Sequence, residues 1–236
     1  MLAHAVTTDA TIAVNSVVCL GLRAELQDRL NEASSLQNFG AHATVFMEGD
    51  ENENIYEVTE GVVILSKLTA DGRRQVTGFV YPGQLFGINI GERNGYTAET
   101  VTAARLRRYP RATLDQSMNL YPALARRFLQ WTSHELVTAQ NQMLLLGRKS
   151  AVEKLATFLL HLSERQEEQD QDPTRLFVPM TRSDIADYLG LTTETVSRTF
   201  SRFKMLGLIA MRERGYITVC DLDRLAGYAE DETSLH

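Results

Sequence analysis

The stretch FVPMTRSDIADYLGLTTETVSRTFSRFKMLGLIAMRERGYITV (residues 177–219) decides how this chain is read. Thr181 precedes an apolar-periodic run and has Asp184 three residues on. That places a side-chain oxygen near the first free N–H groups and a carboxylate at the positive end of a helix. The spacing predicts a helix to about Leu189, stopped at Gly190. Thr192 caps a second helix, with Glu194 in its first turn. Ala186 is small where two helices would cross, Gly190 suits a left-handed turn, and Val196 is the apolar plug, with Ile185, Leu189 and Leu191 completing a small core. Thr199 stands where an aliphatic residue is usual, and Phe200 beside it offers compensation. The pattern is a helix-turn-helix. Leu206-Gly207 ends the second helix, as glycine does just past a C-terminus. Residues 208–211 and 216–219 then alternate as two strands around Arg212-Glu213-Arg214-Gly215, a hairpin wing with a basic tip.

Charge agrees with a surface that meets phosphates. The chain as a whole carries −6. Between Thr174 and Val219, however, seven Arg or Lys face four acids, a local +3 that leaves −9 on the rest. A basic module on an acidic protein suits contact with double-stranded DNA and restrains indiscriminate binding. Glu194 and Arg198, four apart, share a face of the second helix with Ser197 beside them. Arg can take guanine bidentately, Glu can accept from cytosine, and Ser can hydrogen-bond or touch a thymine methyl. The plainer reading is a surface ion pair worth about 0.3–0.5 kcal/mol; on the second helix of a helix-turn-helix, base contact is the favoured one. Thr181, Arg182, Thr193, Thr195, Arg202 and Lys204 are placed for phosphates.

Working outward, residues 163–175 (SERQEEQDQDPTR) read as a solvated helix end and loop. Before them, Val152, Leu155, Ala156, Leu159, Leu160 and Leu162 mark a helix, and Gly147 interrupts the preceding one as a hinge. After Pro110 the pattern is helical for about fifty residues. Leu129, Leu136 and Met143 recur every seven, and Thr132, Ala139 and Leu146 recur every seven offset by three, an a/d seam for a second copy of the chain. Leu124, Phe128, Trp131 and Leu145 form another apolar face; a core helix buried on both sides is the bland alternative.

From Gly40 to Gly95 lie nine of the fifteen glycines. Between them sit the β-rich runs ATVFM, IYEV, GVVILSKL and QVTGFVY, a β-sandwich, barrel or roll. Ala70-Asp71-Gly72-Arg73 is a hairpin turn. Residues 22–36 suggest a short amphipathic helix through Leu22, Leu26, Leu30 and Ala33, and residues 1–20 a loose arm.

LLLGRKSAVEKLA (144–156) and MTRSDIADYLGLTTETVSR (180–198), with the glycine-punctuated β region, resemble the CRP/FNR superfamily of bacterial transcription regulators, especially its FixK-type branch. The resemblance implies an α+β fold. Its parts are an N-terminal arm and short helix (1–35), a cyclic-nucleotide-binding-like β-roll (36–112), a long dimerisation helix (113–147) and a winged helix-turn-helix DNA-binding domain (148–236). It implies a homodimer along Leu129, Thr132, Leu136, Ala139, Met143 and Leu146. It further implies TTGA…TCAA inverted repeats read by Glu194, Ser197 and Arg198, with half-sites about one DNA turn apart. The turn at Thr69, Asp71, Gly72 and Arg73 resembles the loop through which such activators touch RNA polymerase; a solvent hairpin is the alternative. The FixK likeness implies control through the protein's own synthesis, without a bound effector, in low-oxygen metabolism and nitrogen fixation.

Departures from the family pattern bear on cofactors. Members that bind cyclic AMP carry Gly-Glu and then Arg-Ser for the cyclic phosphate; here Gly83-Gln84 and Tyr96-Thr97 stand in those places. Without the Arg the phosphate lacks its charge partner, so no cyclic-nucleotide binding is expected. Cys19 and Cys220 are the two cysteines, so neither a disulfide framework nor an iron–sulfur cluster is expected, nor any metal or other cofactor. His4, His42, His134, His161 and His236 are scattered and leave haem open. With no basic leader before the first apolar stretch and no run near 18 apolar residues, a signal peptide and a membrane span are not expected, and a cytoplasmic protein is. An enzyme is disfavoured. Gly147-Arg148-Lys149-Ser150 lacks the earlier glycine of a phosphate loop, the glycines at 83, 87, 91 and 95 do not form G-x-G-x-x-G, and no G-x-S-x-G or H-E-x-x-H occurs. The remaining alternative is a ligand- or redox-gated sensor of the same family with an unidentified effector, in which Cys220 reports oxidation near DNA.

Overall fold

The glycine-rich region folds as short antiparallel strands: β1 (Ser35–Phe39), β2 (Thr44–Phe46), β3 (Asn54–Glu60), β4 (Val63–Leu68), β5 (Arg74–Val80), β6 (Leu85–Phe86), β7 (Thr97–Thr100) and β8 (Ala104–Pro110). The computed structural model describes residues 32–88 and 91–230. Residues 22–31 of the expected N-terminal helix, together with Cys19, His4 and His236, lie outside them. Ser35 and Leu36, assigned to that helix from the sequence, instead open β1, because alternation of exposed and half-buried residues over SLQNF suits a strand edge.

Two four-stranded sheets result, ordered β1-β8-β3-β6 and β2-β7-β4-β5. One core cluster joins Phe46, Tyr56, Val58, Val63, Val80, Phe86, Ala98, Ala104 and Leu106. A second joins Ile55, Leu85 and Tyr109 to Leu114 and Leu124 of the helices that follow, with Phe128 and Trp131 packed against it. Glu57 is buried in this apolar setting and accepts a 2.8 Å bond from the Tyr109 hydroxyl, with Arg107 Nε 3.9 Å away. A buried carboxyl group needs such hydrogen-bonding partners for its oxygens. Gly61, Gly72 and Gly83, eleven apart, all take positive φ. At Gly61 a Cβ would run into the Ala103 carbonyl and lie 2.8 Å from the Ala104 Cα.

The helical region differs from the reading of an unbroken pattern. Helix α1 (Arg111–Leu120) stops at Tyr121, and α2 (Pro122–Arg148) begins on a proline. Proline is tolerated as a first helical residue, and it pushes the residue before it to extended backbone, here φ −126° and ψ 88°. Gly147 is not the break. The helix runs through it to Arg148, and α3 (Ala151–Glu168) starts from a capping box in which Ser150 and Glu153 bond to each other's backbone N–H. Two satisfied donors, the N–H groups of Ser150 and Glu153, fix the boundary more firmly than one glycine does.

The described residues divide into two compact units, one of 32–68 with 77–136, the other of 69–76 with 137–230. In the second, α3 buries Val152, Leu155, Ala156, Phe158, Leu159 and Leu162. It packs against α4 to α6 territory: α4 (Arg182–Leu189), α5 (Thr193–Met205) and α6 (Leu222–Glu230), where Phe158 meets Tyr188 at 5.7 Å and Phe203 meets Tyr228 at 6.0 Å between ring centroids. Lys149 Nζ donates to Thr157 Oγ1 and to the Ala229 carbonyl, fastening the end of α6. The segment 163–175, read as a solvated helix end and loop, is helical to Glu168, and its last residue opens a strand that the reading did not include, β9 (Arg175–Phe177). Buried Ser163 holds that return by donating to the Pro173 carbonyl at 2.7 Å. β10 (Ile209–Ala210), β11 (Tyr216–Val219) and β9 make a three-stranded antiparallel sheet.

Substituting Gly61→Ala should destabilise the protein by about 1–3 kcal/mol, through positive φ and steric conflict together. A lower thermal midpoint than wild type checks this; an unchanged midpoint contradicts the crowding described at Gly61.

Candidate nucleic-acid interface

Helix α4 starts from a full capping box. Thr181 Oγ1 accepts from the Asp184 N–H at 3.1 Å, and Asp184 Oδ2 accepts from both the N–H and the hydroxyl of Thr181, at 3.0 and 2.6 Å. Burial pushes the Asp184 carboxyl up, but the bonds from Thr181 and the Arg74 guanidinium outweigh it and hold the group below the usual range. Gly190 ends α4 in the left-handed conformation, φ 61°. A Cβ there would meet Leu146 Cδ2 at 3.4 Å, an ordinary contact, so it is the positive φ that calls for glycine here.

Helix α5 is capped by Thr192, whose Oγ1 accepts from the Thr195 N–H at 3.2 Å. Val196, Phe200 and Phe203 are buried along one side, and Thr199 is buried with its hydroxyl donated to the Thr195 carbonyl. Thr199 therefore satisfies its polar atom within the helix, and Phe200 supplies the apolar bulk. Arg182 lies over the Phe200 ring, its Cζ 3.3 Å from the centroid, and points Nη2 at Met211 Sδ 3.3 Å away. Burial lowers the Arg182 pKa, although a guanidinium stays charged at neutral pH. Stacked so, it has less freedom to lose on meeting an anion.

The opposite side of α5 is open. Glu194 and Arg198 are 76% and 71% exposed and pair at 3.5 Å, so both heads are accessible and already close. Ser197 is half-buried and donates its hydroxyl to the Thr193 carbonyl at 2.8 Å, which leaves its oxygen lone pairs as acceptors. Thr193, Arg202 and Lys204 are exposed, Thr195 is half-buried, and the Thr181 hydroxyl is engaged in its cap. The six phosphate candidates thus fall on α4, α5 and the cap of α4. Arg212 and Arg214 are exposed at the wing tip. Arg175 braces the wing, paired with Glu213 at 2.8 Å and lying over Tyr216 with Cζ 4.4 Å from the ring centroid. Sequence reading missed Arg175 and β9, because a three-residue strand carries no periodic signal.

In the β-roll, Gln84 and Tyr96 are both engaged with neighbouring backbone. Gln84 Oε1 accepts from the Tyr81 N–H at 2.9 Å. The Tyr96 hydroxyl accepts from the Gly87 N–H at 2.7 Å, and its ring packs 5.7 Å from Phe46, beside stacked Tyr56 and Phe86. Among the described residues no group of three His, Cys, Asp or Glu could hold a metal ion. Cys220 is exposed and follows β11.

A helix-turn-helix with a wing and a basic, open recognition face is the architecture of a DNA-binding domain. Comparison with known proteins agrees. The Crp-like helix-turn-helix domain model matches residues 153–228 and the cyclic nucleotide-binding domain model residues 36–121. The nitrogen fixation regulation protein FixK of Bradyrhizobium diazoefficiens is 39% identical over 214 residues, 91% of this chain and 90% of that protein. The transcriptional activator protein FnrL of Cereibacter sphaeroides is 32% identical over 220 residues, 92% and 89% of the two chains. The structure of FixK2 from Bradyrhizobium japonicum superposes with a TM-score of 0.78 at 34% identity, covering 83% of this chain and 96% of that one. The chain belongs to the CRP/FNR superfamily, in its FixK-type branch, and is a DNA-binding transcription regulator.

The Asp184 cap makes a pH-dependent prediction. Its folded pKa lies below the unfolded value of about 3.9, so its stabilisation is full above that value and lost as pH falls through the folded one. Asp184→Ala should cost about 0.5–2 kcal/mol near neutral pH, with the gap from wild type closing below about pH 4. Denaturant midpoints at several pH values check this, and a gap independent of pH contradicts it.

Proposed function

We propose that the chain acts as a homodimeric transcriptional activator that binds TTGA…TCAA-type inverted repeats through Glu194, Ser197 and Arg198. The observation that carries this reading is the open face of α5, where Arg198 and Glu194 stand exposed and paired on a doubly capped helix-turn-helix. Phosphate contacts fall to Arg182, Thr193, Thr195, Arg202 and Lys204, with Thr181 at the head of α4. The likeness to FixK and FnrL supports a cytoplasmic role in a low-oxygen circuit serving nitrogen fixation.

The dimer reading rests on the seam of α2. Leu129, Leu136 and Met143 leave 66%, 60% and 72% of their surface exposed, unusual for large apolar side chains spaced by seven. Thr132 and Ala139 are exposed beside them, and Leu146 lies near Gly190. A second copy is the occupant that heptad spacing favours. The seams of two copies would set two α5 helices against a near-palindrome.

Tyr96 and Gln84 support a β-roll that works without cyclic nucleotide, since each is spent on neighbouring backbone. The absence of an effector, iron–sulfur or otherwise, belongs to the same proposal. The turn Thr69–Arg73 is proposed to touch RNA polymerase, supported by the exposure of all five of its residues. A redox-gated sensor is the second reading, favoured by one observation, the exposed thiol of Cys220 beside the wing. Peroxide that abolishes DNA binding in wild type but not in Cys220→Ser would select it.

Arg198→Ala should weaken operator binding by at least about 1–3 kcal/mol and relax preference at one base position. Equal weakening on every sequence contradicts base reading. Replacing Leu136 and Met143 together by Glu should give a monomer on size exclusion, with operator affinity lost; an unchanged elution volume contradicts the seam.

A further inference from the structure

We propose that Arg74 is a positioning residue for DNA binding, one that braces α4 and through it the recognition helix. The inference rests on the reading of α5 as the DNA-reading element. Segment 69–76 packs as part of the same unit as the helix-turn-helix. Its turn is locked internally: Asp71 accepts from Thr69 Oγ1 and from Arg73 Nε at 2.7 Å, and the Arg73 carbonyl accepts from the Thr69 N–H at 2.9 Å. The two arginines that follow behave differently. The Arg73 side chain is 81% exposed, whereas that of Arg74 is 32% exposed and turned onto α4. Arg74 Nη1 donates to Asp184 Oδ1 at 2.7 Å and lies 3.7 Å from Asp187 Oδ2. Gln75 Nε2 donates to the Asp187 carbonyl at 2.5 Å.

Asp184 and Asp187 are three apart on a helix, so their carboxylates are neighbours that repel. One guanidinium against both relieves that repulsion and orients the helix that carries them. The contact then continues toward α5 without a gap. The carboxylate bonded to Arg74 holds Thr181 with its other oxygen, and the next residue, Arg182, lies over Phe200 of α5. Phe200 is two residues from Arg198. The chain Arg74, Asp184, Thr181-Arg182, Phe200 is a contiguous path along which a loosened brace alters the placement of the base-reading face. A cation that merely added charge near phosphates would act on all DNA alike. A brace acts on the geometry that base contacts need.

The test measures Kd of the full chain for the symmetric operator and for a scrambled duplex at fixed salt, in wild type, Arg74→Gln and Arg74→Lys, below the thermal transition of each. Arg74→Gln should lower the operator-to-scrambled preference about three- to tenfold, with scrambled binding little changed, and Arg74→Lys should restore most of it. An unchanged preference overturns the proposal. So does equal loss on both duplexes, which marks a phosphate-type charge, or a lysine variant no better than glutamine. If wild type itself shows no preference, the DNA reading fails, which is a different result from a preference that ignores Arg74.

Discussion

The seat of α5 is the constraint on which the rest depends. Val196, Phe200 and Phe203 bury one side of that helix almost completely, and Thr192 closes its first turn. Three large apolar side chains removed from water stabilise this packing by about 1.5–3 kcal/mol each. That energy leaves the other side free to be polar, so Glu194, Ser197 and Arg198 need contribute nothing to folding. Their chemistry is available for a partner because the opposite side holds the helix in place.

The surrounding structure serves that seat. The αL turn at Gly190 sets where α5 starts relative to α4. Arg182 covers Phe200 and reaches Met211, joining the two helices to the wing. Arg175, Glu213 and Tyr216 stiffen the wing in turn. In the β-roll, the rings of Phe46, Tyr56, Phe86 and Tyr96 pack on one another.

Much of this was legible from residues alone, where the signal is local. Caps at Thr181 and Thr192, the stop at Gly190 and the turn at Gly72 follow from spacings of three or four residues. The break at Tyr121 was missed although Pro122 announces it, because the flanking apolar periodicity continues in phase. Gly147 misled, since a helix tolerates one glycine when a capping box at Ser150 defines the end. Contacts such as Arg74 with Asp184, 110 residues apart, leave no trace in spacing. Neither does the commitment of the Ser197 hydroxyl to Thr193, which depends on a rotamer.

Competition binding of the purified wild-type chain tests the central claim most directly. A fluorescent duplex with a TTGA…TCAA inverted repeat would be challenged by unlabelled self and by a scrambled duplex of equal length, at moderate salt. The account predicts that self competes at least about a thousandfold more effectively than the scramble. Equal competition by the two duplexes would contradict it.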